Sequence, residues 1–173
     1  MHITKDNINE FIDGKSMNCS NKGITRLEYI PDGITRLGCS NNQLTELPKL
    51  PEGLTNLYCI NNKLTTLPHL PEGLFNLNCY NNKLTELPKL PDGITHLDCS
   101  GNKLTELPKL PNSLTDLWCE NNKLTELPKL PESLVNLFCY ENNLPYEITI
   151  DNLKEHNTLI KRKNILEKIR LYH

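Results

Sequence analysis

Apolar residues fall at Leu54, Leu57, Cys59, Leu64, Leu67 and Leu70, and the same offsets return at Leu74, Leu77, Cys79, Leu84, Leu87 and Leu90. Around each cysteine, positions alternate: Leu57 and Cys59 set one way, Asn56, Tyr58 and Ile60 the other, which is the period of two of a strand with one covered face. Prolines then come in pairs, at 48 and 51, 68 and 71, 88 and 91, 108 and 111, 128 and 131. They cannot donate to a ladder and they favour an extended, polyproline-like path over a helix. The tripeptides PDG, PEG, PNS and PES turn the chain back towards the next strand. Each copy thus predicts a short strand, an extended return and a turn.

The period is fixed. Cys19, Cys39, Cys59, Cys79, Cys99, Cys119 and Cys139 stand twenty residues apart, giving seven copies of [LI]xxLxCxxNxLTxLPxLPxx. This resembles the leucine-rich repeat signature LxxLxLxxNxL, with cysteine at the third leucine. The short period and paired Leu-Pro steps are most similar to the YopM and IpaH class of bacterial effector repeats and to repeat proteins of giant viruses. The resemblance implies a leucine-rich repeat solenoid: a right-handed superhelix with one curved parallel β-sheet on the concave side, extended convex returns and short helical caps. At ~4.8 Å per paired strand, seven strands make a sheet about 30 Å long. No single copy can bury its own leucines, so stability comes from neighbour contacts along the stack and both ends need covering.

The expected organisation is an N-terminal cap over 1–13, repeats over 14–146 and a helical cap over 147–173. Thr4 or Asp6 is placed to cap a short helix with Ile8, Phe11 and Ile12 on one side and Gly14 as its stop. After Pro145, Leu153, Ile160, Leu166 and Ile169 fit a helical stripe. The first copy departs from the pattern, with Met17 for leucine, Lys22 for asparagine and Glu28 for proline, as terminal repeats do.

Composition changes this picture little. A net charge of −2 and 37% hydrophobic residues over 173 positions describe an ordinary single domain. The first residues lack a secretory signal's basic start and apolar core, and no run approaches the ~18 apolar residues of a membrane span. The chain reads as soluble, and its odd cysteine count suits a reducing compartment, the cytoplasm or a host cell's cytosol.

The cysteines form one inward column. A metal site needs ligands converging on a point, and disulfides need Cβ atoms that face each other, whereas in-register strands aim these side chains in parallel. Packing as small hydrophobes is the expectation, with no metal and no cofactor. Asn42, Asn62, Asn82, Asn102, Asn122 and Asn142 sit where each strand leaves the concave face, placed to satisfy backbone groups of their own and the adjacent coil.

Positions that change from copy to copy are free to serve something else. The middle outward column runs Asn18, Gly38, Tyr58, Asn78, Asp98, Trp118, Phe138; its flanks run Ser20, Ser40, Ile60, Tyr80, Ser100, Glu120, Tyr140 and Ser16, Arg36, Asn56, Asn76, His96, Asp116, Asn136. Five of the ten aromatic residues lie on this face. Trp118, Phe138 and Tyr140 make one candidate patch for a protein partner, and Tyr58, Ile60 and Tyr80 a smaller one, with His96, Asp98, Asp116 and Glu120 between them. The competing reading is that the aromatics stabilise the sheet as cross-strand pairs.

An enzyme would have to use Asp98 and Asp116, about 8 Å apart by strand geometry and compatible with an inverting glycosidase. An open concave sheet encloses nothing to shift a carboxyl pKa or exclude water, so a noncatalytic module is expected. The effector relatives that are ubiquitin ligases carry their catalytic cysteine in a separate C-terminal domain, for which the residues after the repeats are too few. The alternative partner is nucleic acid, through Lys161, Arg162, Lys163, Lys168 and Arg170. From Glu147 onward, however, basic residues exceed acidic ones by only two, six against four. The partner's identity and the oligomeric state are not legible in the sequence.

Overall fold

The structure is a computed structural model. It describes residues 1–171; the side chains of Glu167, Lys168, Ile169 and Leu171 lie outside the described residues. The expected roles of Ile169 and Lys168 lie outside with them, as do the last two residues of the expected cap, Tyr172 and His173. The elements are β1 (His2–Ile3), a 3-10 helix over Ile8–Phe11, β2 (Ile12–Asp13), β3 (Ser16–Asn18), β4 (Arg26–Leu27), β5 (Arg36–Gly38), β6 (Asn56–Tyr58), β7 (Asn76–Asn78), β8 (His96–Asp98), β9 (Asp116–Trp118), β10 (Asn136–Phe138) and α1 (Leu153–Leu171).

Strands β3 and β5 to β10 run parallel and pair in register at the twenty-residue offset, so Leu57 meets Leu37 and Leu77, and Trp118 lies between Asp98 and Phe138. The expected solenoid is therefore present, with seven parallel strands, and an eighth, β2, is added antiparallel to β3. Inside the coils Leu37, Leu57, Leu77, Leu97 and Leu117 are fully buried, as are the thiols of Cys39 to Cys119. Each buried leucine contributes about 1.5–3 kcal/mol, gathered only when a neighbouring coil covers it. The returns carry no helix. Each ends in a tight turn closed by Leu54 N–H to Pro51 O (3.0 Å), Leu74 to Pro71 (3.0 Å) and Ile94 to Pro91 (3.2 Å).

The seven thiols are free and buried. Burial pushes Cys19 and Cys139 up to about 11 and the five between them higher still, with adjacent thiols adding to the effect in most of them. The thiolate, the form that attacks or binds metal, is thus suppressed along the whole column. Several sulfurs lie against a carbonyl of the next coil, as Cys79 Sγ does at 3.4 Å from Asp98 O.

The asparagine column closes the strand ends. Asn82 Nδ2 donates to Cys59 O (3.0 Å) in the coil before and Cys79 O (3.0 Å) in its own, while its Oδ1 accepts Leu64 N–H at 3.0 Å. The amide therefore satisfies backbone groups that no strand reaches. One residue earlier, Asn41, Asn61, Asn81 and Asn121 hold positive φ between 52° and 55°, and Gly101 takes the same column at +64°. These outer amides form a second ladder, Asn61 to Asn41 and Asn81 to Asn61, at 2.7 Å each. The repeated Asn-Asn dipeptide signals it, because asparagine and glycine tolerate the left-handed region best.

The N-terminal cap differs from the expected helix. Ile8–Phe11 forms a single 3-10 turn without a side-chain cap. Thr4 and Asp6 do not cap it; Asn7 Oδ1 instead accepts Thr4 N–H at 2.9 Å and Thr4 Oγ1 accepts Asp6 N–H at 3.3 Å. Gly14, at φ +56°, makes the hairpin between β2 and β3 rather than stopping a helix. Strand β1 pairs with β4 on the first coil's return, and Glu28 N–H donates to Ile3 O at 3.0 Å. A proline at 28 could not make that bond, which explains the departure of the first copy. Lys22 likewise stands where no earlier coil exists for an asparagine to serve.

At the other end, α1 packs on the last return. His156, 2% exposed, places Nε2 3.1 Å from Pro128 O and Nδ1 2.8 Å from the Tyr146 hydroxyl. Asn157 receives Leu130 N–H and donates to Leu130 O, both at 2.8 Å, standing in for the backbone of a missing coil. Leu153 is buried and Ile160 half-buried, but Leu166 is exposed, contrary to the expected stripe. A helix of 19 residues spans about 28 Å; its second half meets too little of the coil to cover Ile165 or Leu166, and Leu159 in the first half is exposed as well. No helix of the described residues is long and apolar enough to cross a membrane.

Candidate protein-binding face

The outward side chains of β8, β9 and β10 form a grid. Strand register sets His96, Asp116 and Asn136 in one row and Asp98, Trp118 and Phe138 in the next. The backbone bonds Gly101 N–H to Glu120 O (3.0 Å) and Asn121 N–H to Tyr140 O (3.1 Å) carry the same alignment into a third row of Ser100, Glu120 and Tyr140. Trp118 and Phe138 stack with ring centroids 6.2 Å apart and planes 3° apart. The pair keeps exposed surface, Phe138 at 43% and Tyr140 beside it at 59%, with Trp118 half-buried.

The first row is a fixed network. Asp116 Oδ2 accepts from Thr115 Oγ1 (2.6 Å) and lies 3.2 Å from His96 Nε2, while its Oδ1 accepts from Asn136 Nδ2 (2.5 Å). Burial would raise the Asp116 carboxyl, but the Thr115 and Asn136 hydrogen bonds and the His96 ring outweigh it and hold the group below its ordinary value. It is an ionised anchor rather than a proton donor near neutrality.

The third row is less settled. Ser100, almost fully buried, donates its N–H (3.1 Å) and its hydroxyl to Asp98 Oδ1. Burial raises the Glu120 carboxyl and the charge of Asp98 adds to this, against hydrogen bonding from the backbone and Ser100. Glu120 Oε2 is buried without a hydrogen-bond partner. Asp98 and Asp116 are thus held in separate networks, not as a paired acid and base. Among the described residues no group of three His, Cys, Asp or Glu could hold a metal ion.

The smaller patch is looser. Tyr58 and Ile60 are half-buried and Tyr80 is exposed. Asn56, expected outward and accessible, is 6% exposed, its amide donating to the Tyr58 hydroxyl at 3.4 Å and accepting from Thr55 Oγ1 at 2.9 Å. The Tyr80 ring edge lies 3.3 Å from where a Cβ at Gly101 would stand, so the glycine gives the ring room. On the C-terminal helix Lys163 is paired with Glu126.

Two exposed apolar residues escaped the sequence reading. Phe75 (43%) and Val135 (67%) occupy the column held by Lys15 in the first copy and by Thr35, Thr55, Thr95 and Thr115 in the others. In that column Thr55, Thr95 and Thr115 each donate a hydroxyl to the preceding coil's carbonyl at 2.9–3.1 Å. The copy-to-copy comparison that found Trp118 would have found these two had it been extended one residue upstream.

The family described as Leucine Rich repeats (2 copies) matches residues 92–132. The chain is a leucine-rich repeat protein. Its repeats are of the bacterial-effector type: a Shigella effector leucine-rich repeat domain is 34% identical with a TM-score of 0.74, over 83% of this chain and 65% of that one. YopM from Yersinia enterocolitica WA-314 is 33% identical (TM-score 0.64, 78% of this chain, 34% of that one). YopM from Yersinia pestis, a leucine-rich effector protein, is 28% identical (TM-score 0.66, 80% of this chain, 52% of that one). This leucine-rich repeat chain therefore spans between a third and two thirds of the length of these structures. The search of curated proteins gives no significant match.

Proposed function

We propose that the protein is a noncatalytic interaction module whose concave sheet docks a partner protein, with Trp118, Phe138 and Tyr140 as the main contact and Tyr58, Ile60 and Tyr80 as a second. The observation that carries this reading is the Trp118–Phe138 stack: two large rings, ordered against each other yet left open to solvent beside Asp98 and Glu120. Aromatic anchors ringed by polar groups supply most of the energy of protein interfaces, and rigid rings lose little entropy on docking. Likeness to effector repeats supports an effector-like role towards a host protein in a reducing cytosol, whether the source is bacterial or viral. The column of unpaired thiols is consistent with that compartment.

The test is capture of partners from host lysate by the wild type and by Trp118→Ala/Phe138→Ala. Each substitution should weaken a true partner by more than about 1 kcal/mol with the circular dichroism unchanged. A partner held equally by the double variant would remove this face as the site. Binding to DNA or RNA that falls steeply with salt would instead favour the basic helix.

A further inference from the structure

We propose that the free edge of β10 is a self-association site, pairing antiparallel with β10 of a second copy about a two-fold axis through Leu137. This edge adjoins the concave docking face and shares Phe138 and Tyr140 with it, whereas Val135 belongs to the edge alone. The sheet ends on the two-residue strand β2 on one side and on β10 on the other. Along the stack each cysteine N–H donates forward to the next coil, from Cys19 to Gly38 O (2.8 Å) through Cys119 to Phe138 O (2.8 Å). Each carbonyl four residues earlier, from Lys15 to Thr115, accepts from the next coil's backbone. Among the described residues, Cys139 N–H and Val135 O have no next coil to meet.

Backbone groups alternate along a strand, so the N–H and C=O of Leu137, midway between those two, face the same open side. The four groups are self-complementary. With Leu137 opposite Leu137 of a second copy, the two residues exchange both hydrogen bonds, and each Cys139 N–H meets the other chain's Val135 carbonyl. Shared use of one patch by both chains is what a two-fold interface requires.

The side chains agree with this. Val135 to Tyr140, VNLFCY, holds no charge, proline or glycine, the devices that normally blunt an edge. Val135 is 67% exposed, and Leu137 is half-buried where Leu37 to Leu117 are fully covered. A groove of about 510 Å³ lies beside the strand, lined by Leu137, Phe138, Leu144 and Ile148 and, on its polar side, by Glu141 and Glu147. The first coil, with Ser16 and Asn18 outward and β2 already on its edge, offers no matching surface, so the contact closes as a dimer instead of growing head to tail.

Sedimentation equilibrium of the full chain at rising concentration should show the mass moving from 19.8 kDa towards twice that value. Val135→Lys, at an exposed position, should weaken the dimer at least tenfold, as should Phe138→Lys, while Phe75→Ala, away from the edge, should not. In a dimer of mixed isotope labelling, Asn136 Hα should show contacts to Phe138 Hα of the other chain, the close pair of this register. A chain that stays monomeric, a dimer indifferent to Val135→Lys and Phe138→Lys, or a Cys139 amide protected only when an extended peptide is added would each overturn the proposal, the last by giving the edge to a foreign strand.

Discussion

In β9 a single strand serves two surfaces: Leu117 and the adjoining Cys119 face the core, and Trp118 between them faces the concave side. The inward columns hardly vary, leucine over leucine and thiol over thiol, because each must fit the coils on both sides. The outward column changes at nearly every step, from Asn18 through Tyr58 and Asp98 to Trp118 and Phe138. The difference teaches that register, once fixed by the inward residues, leaves the alternate positions without a folding task. Substitutions on the two sides should therefore separate loss of fold from loss of binding.

The largest loss should come from the asparagine column. Asn82→Ala leaves Leu64 N–H without its partner and takes one of two donors from Cys59 O and from Cys79 O, which keep Asn62 and Asn102; with about 1–3 kcal/mol for the buried unpaired N–H and about 0.5–1.5 kcal/mol for each further lost bond, the total should reach about 3 kcal/mol by urea unfolding. Cys99→Ser should cost about 1–3 kcal/mol, since a buried hydroxyl replaces a thiol, with little direct effect on a partner. Asn81→Gly should stay within about 0.5 kcal/mol, because glycine accepts the φ of +53° and Gly101 already fills that column one coil on.

The smallest effect concerns Glu120. Its folded-state pKa is raised, so the folded protein binds the extra proton and stability falls as pH climbs from the ordinary carboxylate range through the folded value. Glu120→Gln removes that loss. Melting curves should show the variant slightly more stable at neutral pH and equal to wild type below the carboxylate range. Asp116, whose contribution has the opposite sign and fades as pH falls, is common to both and cancels in the difference.

The repeat made the stack legible. Twenty-residue spacing fixed which residues pair, and alternation placed Cys59 and Tyr58 on opposite faces before any coordinates. The ends were harder, because no second copy exists to compare with them. Glu28 reads as a blemish in a terminal repeat until β1 is seen using its N–H. His156 and Asn157 carry no apolar signal, yet they occupy the helix face that meets the last coil. On the concave face, positions were legible and partnerships were not: the fixing of Asp116 by Thr115, Asn136 and His96 depends on side-chain rotamers across three coils.

The division of labour stands or falls on the rings of β9 and β10. Urea unfolding of Trp118→Ala/Phe138→Ala against wild type is the most direct measurement. The rings' stacking contributes about 0.5–1.5 kcal/mol beyond the surface they bury, and with both rings partly open to solvent the double variant should lose less than about 3 kcal/mol of stability. A loss of about 3 kcal/mol or more, equal to that of Asn82→Ala, would mean that the outward aromatics hold the sheet together and are not spare for a partner.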